Sequence, residues 1–108
     1  MPGRIRAAIK GIAYHLPTQV LTNQDLATEF PAWSIGKIEE KTGISTRHIA
    51  ADGECASDLA VIAAQKLFES GVCAASDIDY ILLCTQSPDY FLPSTACLVQ
   101  ERLGVSQQ

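Results

Sequence analysis

Apolar positions along the chain recur with two different periods. Ile5 to Ala13 sets Ile5, Ala7, Ala8, Ile9 and Ile12 among the isolated charges Arg6 and Lys10, a pattern that predicts a strand near the edge of a sheet. Thr22-Asn23-Gln24-Asp25-Leu26 places cap-forming residues ahead of an apolar one. A short helix is therefore predicted from about Asn23, stopping before Pro31, whose ring disfavours α geometry at the residue preceding it. A second short helix is predicted over Ser34 to Lys41, with Ser34 as cap, Ile35 and Ile38 one turn apart, and Gly43 as the stop. Ile44 to Ala50 then reads as extended chain.

The longest helical pattern runs from about Ser57 to Ser70 and ends at Gly71. Its polar residues Asp58, Gln65 and Glu69 fall on one stripe, Lys66 lies beside it, and the rest of its surface is apolar. Such a helix is buried on most sides between the layers of an α/β body. Ile78 to Thr85 is almost unbroken apolar sequence of strand length, which predicts a strand covered on both faces. A last helix is predicted after Pro93, capped by Ser94, carrying Ala96, Val99 and Leu103 on one face and ending at Gly104. The order of strands and helices gives an α/β class.

Composition narrows the function. The chain has 108 residues, 47% of them apolar, enough for one compact domain or part of a larger one. Its net charge of -4 comes from scattered acidic residues. That balance argues against a nucleic-acid partner, which basic side chains would have to bind. The apolar runs fall far short of the ~20 residues that span a bilayer, so no membrane role is expected. The opening Met1-Pro2-Gly3-Arg4 is not a secretory signal, and a cytoplasmic location is expected. No internal repeat, low-complexity segment or linker interrupts the sequence.

Candidate chemistry is sparse. Phosphate-loop, dinucleotide, serine-hydrolase and zinc-protease signatures are absent. Cys55, Cys73, Cys84 and Cys97 lack zinc spacing and read as reduced thiols, with Cys84 and Cys97 in the core and Cys55 and Cys73 partly exposed. Cys97 also lies in the first turn of a predicted helix, where a thiol pKa falls, which is the competing reading of that residue as a nucleophile. The pair Arg47-His48 either binds an anion or satisfies backbone carbonyls and a local carboxylate. Trp33, the single tryptophan, is either a packing anchor or a platform for an adenine ring. Asp89 reads as a turn residue.

Five segments occur in a recognisable order: Lys10 to Pro17 (KGIAYHLP), Thr22 to Leu26 (TNQDL), Lys41 to Ile44 (KTGI), Arg47 to Ala50 (RHIA) and Leu92 to Cys97 (LPSTAC). Together they resemble the amino-terminal part of β-ketoacyl-acyl-carrier-protein synthase III. The resemblance implies part of the first half of a thiolase-like fold, a mixed sheet with covering helices, in a homodimer, with residues 1 to 108 as an incomplete portion of that domain. It implies transfer of an acyl group from a coenzyme A thioester to a cysteine, followed by condensation with malonyl-acyl-carrier protein.

Trp33 then matches the tryptophan that stacks on the adenine of coenzyme A, and Lys41 stands where the family has an arginine. Lysine keeps the charge but loses the planar, bidentate guanidinium. Leu92 matches a position that reaches into the acyl pocket of the neighbouring subunit. Cys97 matches a non-catalytic cysteine, and the nucleophile is expected beyond Gln108, so this stretch by itself is expected to be inactive. Coenzyme A thioester is expected as substrate rather than as a tightly bound cofactor, with acyl-carrier protein as partner and a homo-oligomeric assembly. The competing readings are a non-catalytic domain that binds an acyl-carrier or enzyme partner, and another thiolase-fold acyltransferase.

Overall fold

A computed structural model of the chain describes residues 3–107. They form two compact units, one spanning Leu16–Glu54 and the other made of the segment up to His15 together with Cys55 onward.

In the Leu16–Glu54 unit, β1 (Gln19–Thr22) pairs antiparallel with β2 (Thr46–Ile49), with Val20 opposite His48 and Thr22 opposite Thr46. Helix α1 (Asn23–Glu29) begins directly from β1 because Thr22 and Asp25 cap one another. Thr22 Oγ1 accepts the Asp25 N–H at 3.1 Å, while Asp25 Oδ2 accepts the Thr22 N–H at 2.8 Å. The helix is over by Phe30, ahead of Pro31, as the proline requires. Helix α2 (Ile35–Thr42) starts where Ser34 Oγ accepts the Lys37 N–H at 3.2 Å. It ends at Gly43, which takes the left-handed conformation at φ 67 that a side chain would disfavour.

Asn23 ties this unit together. It is only 4% exposed. Its backbone N–H donates to Ser45 O at 3.1 Å, its Nδ2 donates to Ile44 O at 2.8 Å, and its Oδ1 accepts from Arg47 Nη2 at 3.0 Å. The start of α1 is thereby fixed to the chain that leaves α2 and enters β2.

In the other unit, α3 (Ala56–Glu69) packs against α4 (Thr95–Leu103), with a 3-10 turn at Ala75–Asp77 between them in sequence. Val61 of α3, Val99 of α4 and Val105 are its buried apolar residues. Of the polar stripe expected on α3, Gln65 and Glu69 are exposed, with Lys66 beside them, while Asp58 is half-buried; the remaining face is half-buried except for buried Ser57 and Val61, so the helix is less covered than its sequence suggests. Gly11 lies close to the end of α3: a Cβ there would stand 3.0 Å from Val72 Cγ1 and 3.2 Å from Leu67 Cδ1.

Two expected strands are corrected. Neither Ile5 to Ala13 nor Ile78 to Thr85 is paired in a ladder among the described residues, whose one sheet is the β1–β2 pair. A strand exists through its neighbour, and these extended segments have none here. Ile78 to Thr85 is also not covered on both faces. Ile81 and Leu83 are half-buried and border an apolar recess against Ala64 and Val99, whereas Leu82 is 84% exposed and Cys84 is exposed.

Candidate functional site

Trp33 and Lys41, separated by eight positions in sequence, line one open cleft of about 290 Å³ in the Leu16–Glu54 unit. The turn between α1 and α2 carries Trp33, and α2 carries Lys41 in its last turn. The Trp33 ring stacks on Phe30, with centroids 4.8 Å apart and planes 24° from parallel. That contact braces one side of an indole that remains half exposed. Lys37 also lines the cleft, one helical turn before Lys41 and on the same face of α2. An aromatic surface beside two ammonium groups suits a planar ring that carries phosphates. Lys37 was not singled out from the sequence, although its spacing of four from Lys41 was the available signal.

Leu92 belongs to the other unit, in the loop before α4. Its side chain is 85% exposed and that of Phe91 is fully exposed. The peptide bond between Leu92 and Pro93 is cis.

The core assignment of Cys84 and Cys97 is corrected, since both thiols are exposed. Cys84 points with Leu82 to the uncovered side of its segment. Cys97 is about half a helical turn away from buried Val99, so it faces outward. Its Sγ accepts a hydrogen bond from Ser94 Oγ at 3.2 Å. The serine hydroxyl therefore contacts the thiol instead of accepting a first-turn N–H of α4. Cys55 is exposed and Cys73 half-buried, as expected.

Arg47 and His48 serve the framework: Arg47 bonds Asn23, and His48 Nδ1 is hydrogen-bonded to Pro17 O at 2.5 Å. Among the described residues no group of His, Cys, Asp and Glu could hold a metal ion.

Asp89 is more than the turn residue that its sequence suggests. Its carboxylate accepts from the Ser57 N–H at 3.0 Å and from the Ser57 hydroxyl at 2.5 Å. The sequence carried no signal for this contact, which spans 32 positions.

No family model matches the chain. It is 50% identical over 97 residues to a protein of Methylococcus capsulatus named β-ketoacyl-[acyl-carrier-protein] synthase III, an alignment covering 90% of this chain and 30% of that protein. Identity is 46% over 99 residues to the protein of the same name from Hyphomonas neptunium, covering 92% of this chain and 30% of the relative. A crystal structure of a 3-oxoacyl-(acyl-carrier-protein) synthase III superposes with a TM-score of 0.84 at 54% identity, covering 95% of this chain and 31% of that one. The chain thus spans about 30% of the length of the relatives it matches. Its fold is that of part of a thiolase-like α/β enzyme.

Proposed function

We propose, on the premise that this chain is homologous to β-ketoacyl-[acyl-carrier-protein] synthase III, that it forms the amino-terminal part of a condensing acyltransferase of fatty acid biosynthesis. The observation that carries this reading is the 50% identity maintained over 90% of the chain. In the proposed reaction a cysteine thiolate attacks the carbonyl of a coenzyme A thioester and expels the coenzyme A thiolate. Malonyl-acyl-carrier protein then loses carbon dioxide, and the resulting enolate attacks the acyl-cysteine, which releases the enzyme thiolate and leaves 3-oxoacyl-acyl-carrier protein. The protein acts in the cytoplasm as a homo-oligomer.

Within this chain the roles are those of binding and shape. Trp33 offers its open face to the adenine ring, and Lys41 and Lys37 face the phosphates of coenzyme A. Leu92 forms part of the acyl-pocket wall. None of the four cysteines is the nucleophile in this reading. The hydrogen bond from Ser94 to Cys97 is contact with a neutral hydroxyl, and His48, one of the two histidines, is held by the Pro17 carbonyl.

Titrating coenzyme A by isothermal calorimetry tests the donor assignment, since Trp33 is the single tryptophan and its removal leaves no indole fluorescence to follow. Saturable binding is expected, weakened ~5- to 150-fold by Trp33→Ala, the range for loss of one stacked aromatic, a value taken from base stacking in nucleic-acid proteins. Weakening by Lys41→Ala that fades at high salt is expected beside it. Binding that survives both substitutions unchanged would place coenzyme A elsewhere.

A further inference from the structure

Asp89 reaches two helices at once. Its carboxylate accepts from the backbone N–H and the hydroxyl of Ser57, in the first turn of α3, at 3.0 and 2.5 Å. Its own backbone N–H donates to Oγ1 of Thr95, the first residue of α4, at 3.2 Å. Arg102, in the last turn of α4, closes the ring by donating to Ser57 Oγ at 3.1 Å and to Asp58 Oδ1 at 2.8 Å. Ser57 and Thr95 are buried, at 4% and 3% exposure.

The chemistry of this ring favours a fixed geometry. First-turn N–H groups of a helix have no partner within the helix, and a carboxylate placed there gains both their hydrogen bonds and the helix dipole. The Arg102 guanidinium offsets the charge that Asp58 and Asp89 bring to the same end of α3. Two and three residues further on, Phe91 and Leu92 are almost wholly exposed, so packing does not hold them. Asp89 is the nearest preceding point at which their loop is anchored by side-chain hydrogen bonds.

We propose that Asp89 is a positioning residue. It fastens the loop of residues 86–94 to the first turns of α3 and α4, sets where Leu92 stands, and through Leu92 governs which acyl chains are accepted. The last step rests on the condensing-enzyme reading given above; the anchoring does not.

Two measurements test the parts separately. In the first, amide hydrogen exchange is compared among the wild-type chain, Asp89→Ala and Asp89→Asn. Asp89→Ala is expected to speed exchange at the hydrogen-bonded amides of Asp89 and Ser57 by about tenfold or more, while the amides of Val61 and Val99 stay near their wild-type rates. Asp89→Asn should fall between, since its amide oxygen can still accept the Ser57 N–H, and it carries the test if the alanine variant does not fold. Unchanged loop exchange, or an equal rise throughout α3 and α4, would overturn the anchoring role.

In the second, the natural protein is assayed with short and long acyl-coenzyme A donors. The ratio of kcat/KM between them is expected to shift ~10-fold in Asp89→Asn, the scale of a misplaced methylene in an apolar pocket. An unchanged ratio overturns the selectivity role. A wild-type protein that condenses neither donor refutes the condensing reading and the selectivity role with it, while exchange still decides the anchoring.

Discussion

At the scale of single residues, Asn23 shows how a polar side chain can hold a small unit together. It is buried, yet its side-chain amide has both ends satisfied, one by Ile44 O and the other by Arg47 Nη2. A buried hydrogen-bonding group that loses its partner keeps its desolvation cost, so removing one member harms the other. Asn23→Ala would strand the Ile44 carbonyl and deprive Arg47 of its partner. We expect a loss of ~1–3 kcal/mol in urea unfolding, with little change in the slope of the transition. A loss below about 0.5 kcal/mol would mean that solvent replaces the amide freely. Trp33 illustrates the converse case, because Phe30 stacks on its ring and yet the residue stays half exposed.

At the scale of elements, helix ends carry much of the order. The Asp58 carboxyl is held below its ordinary value of 3.8, chiefly by the Cys55 backbone N–H and then by Arg102. Asp25 is lowered by the hydroxyl and backbone N–H of Thr22. A carboxyl depressed in the folded state binds its proton more readily when unfolded. Its contribution is therefore complete above the unfolded value and fades as pH falls through the folded one. Stability should decline as the pH drops below about 4. Thermal unfolding of wild type and Asp58→Asn between pH 2 and 6 checks this. The gap between the two should be widest near pH 6 and close towards pH 2; a gap that persists at pH 2 would show that Asp58 acts without its charge.

Those helix ends were also what the sequence displayed best. Thr22, Ser34, Gly43 and Gly104 bound helices at the expected positions, because caps and left-handed stops are written in one or two neighbouring residues. Strands were harder to read. β1 (Gln19–Thr22) leaves no signal of its own, since four residues hold too little alternation and its partner lies over 20 positions away. Ile78 to Thr85 misleads for the opposite reason: an apolar run shows what a segment would bury, and burial depends on neighbours elsewhere in the fold. In the candidate site, Trp33 and Lys41 were visible as residue types. Asp89 was hidden because its partners, Ser57 and Thr95, are brought to it by the packing of α3 against α4.

At the scale of the whole molecule, the most informative feature is how much apolar surface lies bare. Ile5, Ile9, Tyr80, Leu82, Phe91 and Leu92 are all more than four-fifths exposed, and the extended segments that carry Ile5 and Leu82 lack strand partners among the described residues. Patches and open edges of this kind mark surfaces prone to pair or pack with further protein. The match to about 30% of the length of a longer enzyme is consistent with that reading. Among the described residues no helix is long and apolar enough to cross a membrane.

In the function proposed above, this chain is part of a condensing acyltransferase, and none of its four cysteines is the nucleophile. The most direct measurement supplies the natural protein with acetyl-coenzyme A and malonyl-acyl-carrier protein, and follows the acyl-enzyme and the carrier-bound product by mass spectrometry. The expected products are 3-oxoacyl-acyl-carrier protein, carbon dioxide and free coenzyme A, with a transient acyl group on a cysteine other than Cys55, Cys73, Cys84 and Cys97. A stoichiometric acyl adduct on Cys97, or no condensation with any acyl donor, would contradict that function.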